Sequence, residues 1–185
     1  MARVREGDQA VLMIVDVQVG VMSQLWESPR IIENLREAVE KARNAGIPVI
    51  WVQHEAEHLP TGSDPWKIVP ELVPGDGEAI IAKEYNSAFE ETPLESELEK
   101  VGATRIVLGG AASNWCIRAT AYGALARGYD LTLLADAHTT HSMEAQTGEP
   151  IPAAHIIEEL NTVMEWLRYP GVTSGVSRTE DLSFD

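Results

Sequence analysis

The chain contains a single cysteine, Cys116, and that scarcity excludes both an intrachain disulfide and a cysteine-rich zinc site. The thiol is left to packing or to chemistry, and a lone cysteine in such a chain is more often a small buried apolar residue than a nucleophile. No apolar run approaches the roughly 20 residues that span a bilayer, and the opening residues MARVREGDQ hold no apolar stretch of a secretory signal. The expectation is a cytoplasmic protein with no membrane partner. Basic residues are scarce as well: 14 Lys and Arg stand against 29 Asp and Glu, for a formal net charge of -15. Phosphate backbones are bound by clustered cations, so nucleic acid is not an expected partner. An acidic field attracts cationic small molecules and repels anionic ones.

What is present suffices for one buried core: 185 residues, 44% of them apolar, with no internal repeat or low-complexity segment. Residues 10–17, AVLMIVDV, are almost continuously apolar and end at one carboxylate, which fits a strand buried on both faces of a parallel sheet with Asp16 at its C-terminal end. A helix follows, with Ser28 as N-cap, Pro29 in the first turn, Ile32, Leu35, Val39 and Ala42 on one stripe, and Gly46 as its stop. Residues 48–53, PVIWVQ, form the second strand. The segment 54–77, rich in Pro, Gly, Asp and His, is longer than a tight connection needs and is expected to be a lid or binding loop.

A short strand at 79–82 delivers Lys83, and Thr92-Pro93-Leu94-Glu95 reads as a capping box opening a helix that stops at Gly102. Residues 104–108 are the fourth strand. Ser113 is expected to cap a small-residue helix running through Ala126 to a stop at Gly128, which puts Cys116 in the first turn. A strand at 130–135, a polar stretch at 138–149, a helix at 152–167 and an edge strand near Val172 and Thr173 complete the pattern. Strands alternating with helices imply an α/β fold: a three-layer, doubly wound, mainly parallel Rossmann-like sheet, one domain over 1–185 with its core at about 10–167 and a tail at about 174–185. Such sheets bind ligands outside the carboxyl ends of their strands, and Asp16, Lys83 and Cys116 all fall at such ends.

A cysteine in a helix's first turn faces unpaired N–H groups that favour a thiolate, a nearby Lys83 lowers its pKa further, and Asp16 can take the thiol proton and return it to a leaving amine. Each residue also has a structural alternative. Asp16 can anchor a loop, Lys83 can be solvated, and the two can form an ion pair with no catalytic role.

The segments LMIVDVQ, IAKEYNSAF and VLGGAASNWCIRATAYGALARGYDLTLLADA resemble, in order and separation, the signature regions of the isochorismatase-like cysteine hydrolases. The resemblance covers roughly residues 10–167 and implies roles by position: Asp16 the acid/base, Lys83 its holder, Cys116 the nucleophile, with a cis peptide between Ala111 and Ala112 and an oxyanion hole made by the N–H groups of Ala112 and Cys116. It implies hydrolysis of a small amide, lactam or related C–N bond through a thioester, no cofactor, and a homodimer or homotetramer. DAHTT after the fifth strand resembles the streptothricin hydrolase branch. Metal-dependent nicotinamidases carry a D-x-H pair followed by another histidine, and this chain has Gln53 where that Asp would be, so no metal is expected, and His54 and His58 are read as solvated or pocket-lining. Candidate substrate-binding residues are Gln18, His54, Tyr85, Asn86, Phe89, Trp115 and Ile117. The alternatives are an isochorismatase-type vinyl-ether hydrolase, against which Cys116 argues, and a noncatalytic ligand-binding or scaffold member of the fold. Reading GGAAS as a phosphate-binding turn lacks both a G-x-G-x-x-G pattern and a P-loop lysine.

Overall fold

The computed structural model describes residue 2 and residues 4–184; the two ends of the expected 1–185 domain lie outside the described residues. Strand β1 (Ala10–Val15) is buried along its whole length, as an unbroken apolar run requires when both sheet faces are covered. Its side chains alternate between two cores. Val11, Met13 and Val15 pack with residues of helices α3 (Leu94–Lys100), α4 (Arg118–Arg127) and α5 (Ala153–Trp166), whereas Leu12 and Ile14 pack with the apolar stripe of α2 (Ser28–Asn44). A one-turn helix, α1 (Val19–Met22), precedes α2.

The remaining strands are β2 (Val49–His54), β3 (Ala79–Lys83), β4 (Arg105–Ala111), β5 (Asp130–Thr139) and β8 (Ser174–Ser177), with β6 (Met143–Glu144) and β7 (Pro150–Ile151) forming a separate two-stranded ladder. The six-stranded sheet runs β3-β2-β1-β4-β5-β8 with every pairing parallel. Strand order reverses between β1 and β4, so the crevice at their carboxyl ends is the topological switch point. None of the helices is long and apolar enough to cross a membrane among the described residues.

Several local expectations are corrected. Ser28 lies inside α2, because the preceding residue, Glu27, takes the left-handed conformation at φ 49° and no side chain caps the helix. Thr92 makes no capping box with Glu95: the cap position is Pro93, which has no N–H to donate to a glutamate, and Thr92 Oγ1 donates to Ala88 O while accepting from Leu94 N–H at 3.3 Å. Strand β5 continues through Thr139, four residues beyond its expected end, since His138 and Thr139 are buried and pair with Gly110 and Ala111. The edge strand is at 174–177, not at Val172 and Thr173, and the chain beyond it belongs to the fold. There the Thr179 N–H and hydroxyl both donate to Asp136 Oδ1 at 2.8 Å, Lys41 Nζ donates to Thr179 O at 2.6 Å, and Leu182 enters the core against α2.

Gly110 allows the ends of β1 and β4 to approach. Its φ is 123°, and a Cβ there would lie 2.1 Å from Val15 O, a backbone atom that cannot step aside. The next peptide bond, Ala111–Ala112, is cis. Replacing Gly110 by alanine is expected to cost about 3 kcal/mol or more, through overpacking and forced backbone strain together. Thermal or urea unfolding of Gly110→Ala measures this, and a loss below about 0.5 kcal/mol, the scale of an ordinary surface change, would show that the approach is not tight.

Candidate active site

Asp16 is the residue at which β1 ends, in the left-handed region at φ 54°, its N–H donating to Val52 O at 2.8 Å so that the chain turns while still tied to the sheet. Lys83 ends β3, two strands away in the sheet, and only a long side chain covers that distance. Its ammonium lies 2.8 Å from Asp16 Oδ2, 3.2 Å from Cys116 Sγ and 3.3 Å from His54 Nδ1. The three N–H bonds of an ammonium thus have three partners. Asp16 and Lys83 are sealed from solvent, with side chains 3% and 0% exposed, and Asp16 Oδ1 is buried without a hydrogen-bond partner.

Cys116 is carried by a π-helical turn, Ser113–Ile117, in which the N–H groups of Trp115 and Ile117 both donate to Ala112 O. The expectation that Ser113 caps a helix is corrected: Ala112 holds the cap position, and the Ser113 hydroxyl lies 2.7 Å from His138 Nδ1 instead. The expected depression of the thiol is also corrected. Burial, and after it the negative charge of Asp16, push Cys116 up to about 12, and Lys83 opposes this without overcoming it. Burial likewise raises the Asp16 carboxyl, with Lys83 and the contact to Cys116 pulling it back down. A site with one buried ammonium supports one anion, so at rest the carboxylate holds the charge and the sulfur holds a proton.

His54, at the end of β2, is lowered by burial first and by the Lys83 charge next, which keeps its ring neutral. With Lys83 donating to Nδ1, the ring proton sits on Nε2. Among the described residues, no group of three His, Cys, Asp or Glu gathers as a metal site would require.

Asp16, Lys83, Cys116 and His54 are therefore brought together. Three of the expected substrate-binding residues are not available. Gln18 is fully buried and its amide is spent, accepting from His54 N–H at 2.8 Å and donating to His54 O and Trp66 O at 3.0 and 2.9 Å. Phe89 packs in the core on Tyr129, and Ile117 is 0% exposed in the same core. Tyr85, Asn86 and Trp115 are exposed. A cavity of about 140 Å³ adjoins Lys83 and Tyr85, lined otherwise by Glu55, Glu84, Glu90 and Glu91 with Ala82. Sequence reasoning missed Asn161, whose Oδ1 lies 2.9 Å from His138 Nε2; its position on the polar side of a helix stripe gave no signal of a buried partner.

The isochorismatase domain model matches residues 10–150. Over 156 residues the chain is 33% identical to a streptothricin hydrolase of Streptomyces noursei, which takes in 77% of this chain and 60% of that protein. The chain thus spans about 60% of that relative's length. It is 26% identical over 202 aligned positions to the ureidoacrylate amidohydrolase RutB of Cronobacter sakazakii, covering 86% of this chain and 84% of that one. Among solved structures, an isochorismatase from Pseudomonas putida KT2440 superposes with a TM-score of 0.85 at 27% identity, covering 95% of this chain and 91% of that chain.

The ion pair gives a stability test. Lys83→Ala leaves the Asp16 charge buried and unpaired, and is expected to cost about 3–5 kcal/mol at neutral pH. Without Lys83 the folded-state pKa of Asp16 rises further above its unfolded value, so the folded state binds the extra proton and the variant should regain stability as pH falls through that raised pKa. Urea unfolding between neutral and mildly acidic pH reads this, and a deficit that stays constant across the range would place the loss in packing rather than charge.

Proposed function

The chain belongs to the isochorismatase family, and on that premise we propose that it is a cysteine hydrolase of small amides, lactams or ureido compounds, with Cys116 as nucleophile. The observation that carries this reading is one ammonium, on Lys83, within 2.8 Å of a buried carboxylate and 3.2 Å of the single sulfur of cysteine in the chain. The similarity to an amidohydrolase and to a streptothricin hydrolase supports the C–N bond as target.

In the proposed cycle a substrate carbonyl carbon meets Sγ, with its oxygen toward the N–H groups of Ala112 and Cys116, which serve as the oxyanion hole. As the C–S bond forms, the thiol proton passes to Asp16, whose Oδ1 has a lone pair to receive it, and negative charge moves from carboxylate to substrate oxygen while Lys83 remains beside both acids. The tetrahedral intermediate expels nitrogen, which takes the proton from Asp16 and leaves as an amine or ammonia. Asp16, again a carboxylate, draws a proton from water as its oxygen attacks the thioester. The carboxylic acid departs and the proton returns to sulfur. The net change is addition of one water across the C–N bond, with no oxidant, reductant or cofactor. In this reading His54 keeps the Lys83 ammonium aimed at the two acids, and the exposed Tyr85, Asn86 and Trp115 remain the candidates for contacting substrate, with Tyr85 lining the cavity beside Lys83.

Amine or ammonia release from a panel of amides, lactams and ureido compounds tests the reaction, together with intact-mass detection of an acyl adduct on Cys116. Cys116→Ser is expected to lose at least about a thousandfold in kcat. Release that survives the substitution, or turnover of vinyl ethers alone, would overturn the nucleophilic role. Because Asp16 must be ionised to accept the proton and burial raises it, activity should fall as pH drops through a value above the ordinary carboxylate of about 4. A pH–rate profile with its acid limb at or below that value would contradict the assignment of Asp16 as base.

A further inference from the structure

Behind the nucleophile turn lies a second hydrogen-bonded chain that the proposed reaction does not use. Ser113 Oγ is 2.7 Å from His138 Nδ1, His138 Nε2 is 2.9 Å from Asn161 Oδ1, and Asn161 Nδ2 donates to Ala135 O at 3.1 Å. The sequence of groups has the form of a hydrolase triad, but Ser113 and His138 are both 0% exposed and buried behind the turn, so Ser113 is no second nucleophile. Its protons can be assigned. The bond to Ala135 O fixes which end of the Asn161 amide is nitrogen, so Oδ1 faces His138 and must accept a proton from Nε2. Nδ1 is then a bare lone pair, and the Ser113 hydroxyl donates to it. The ring has to be neutral for this arrangement, and full burial, pushing it down to about 4, keeps it so.

Ser113 opens the π-helical turn that carries Cys116, and that turn has no side-chain cap of its own. We propose that the Ser113–His138–Asn161 chain is a positioning device for the nucleophile, tying the start of the Cys116 turn to strand β5 and helix α5 so that Sγ stays within reach of Lys83 and Asp16. His138 and Asn161 hold no substrate and touch no reacting atom; they act through Ser113. The polar chain reaches only the first residue of the turn; Asn114 is held separately, its Oδ1 accepting from Thr140 Oγ1 at 2.6 Å, and the packing of Ile117 and Ala121 in the core holds α4 itself. Losing the chain therefore loosens the start of the turn and leaves the fold.

The test uses three variants of the full chain. Ser113→Ala removes the donor, and His138→Gln keeps a polar group toward Asn161 while losing the acceptor for Ser113. His138→Asn does the reverse, placing an amide oxygen where Nδ1 stood. The pH midpoint of Cys116 alkylation by iodoacetamide is read first, because it needs no substrate and stands apart from the hydrolase reading. Ser113→Ala and His138→Gln are expected to shift the midpoint from its raised wild-type position down toward the ordinary thiol value of about 8.5, as the sulfur leaves its buried place beside Asp16. His138→Asn should keep the wild-type midpoint, although it opens a cavity and lowers the melting temperature about as much as His138→Gln. With a substrate in hand, the first two variants should lose about 10–100-fold in kcat with KM within about threefold, as expected when reacting atoms are misplaced rather than binding lost. A wild-type midpoint in Ser113→Ala, or equal midpoint shifts in the two His138 variants, would overturn the proposal. Failure of every amide substrate with the wild-type protein would overturn the hydrolase reading alone.

Discussion

A single buried ammonium faces two acids, and it can neutralise the charge of only one of them at a time. Lys83 lies within hydrogen-bond reach of Asp16 and of Cys116, all three groups nearly sealed from water. Removing charge from water is costly, so the state with two anions is suppressed and the state with one anion and one shared proton is held. That restriction leaves the thiol protonated at rest, and in the proposed reaction it loses its proton only as a new bond to carbon consumes the charge. The rest of the architecture serves to keep the three side chains at these distances.

The sheet does so through strand order. Asp16 leaves β1 and the Cys116 turn leaves β4, adjacent strands on either side of the switch point, while Lys83 crosses the end of β2 to join them. Gly110 permits the backbones to close on each other, and the left-handed turn at Asp16 points the chain away from the sheet directly after its last inter-strand bond. Both are local departures from the regular strand geometry around them. Such departures gather where a fold holds chemistry, because the same residues would otherwise relax into ordinary loop conformations.

Much of this was legible in the amino-acid order. The apolar run of β1 announced a strand covered on both faces, the alternation of strands and helices announced a doubly wound parallel sheet, and Asp16 and Lys83 stood where strand ends had to be. Patterns that depend on neighbours along the chain carry well. What escaped depends on neighbours in space. Ser113 has the residue type of a helix cap, but its hydroxyl is drawn to a histidine 25 residues away. Gln18 reads as a pocket residue because it lies near the expected rim of the sheet, yet its amide is consumed in bonds to His54 and Trp66. Phe89 and Ile117 lie near the rim in sequence and point into hydrocarbon in space. The sign of the thiol shift was missed for the same reason: a first-turn position favours a thiolate, but burial beside a carboxylate outweighs it.

A direct reading of the shared charge comes from titrating the thiolate by its ultraviolet absorbance, with Cys116→Ser as the blank, in the wild-type protein and in Asp16→Asn. In the wild type the sulfur should stay protonated through neutral pH. In Asp16→Asn, Lys83 has only sulfur left to neutralise, so the thiolate should appear at a midpoint at least one unit lower, a change of about tenfold or more in the ionisation constant. Equal midpoints in the two proteins, or a wild-type thiolate already formed at neutral pH, would contradict the claim that the carboxylate and the thiol compete for one ammonium.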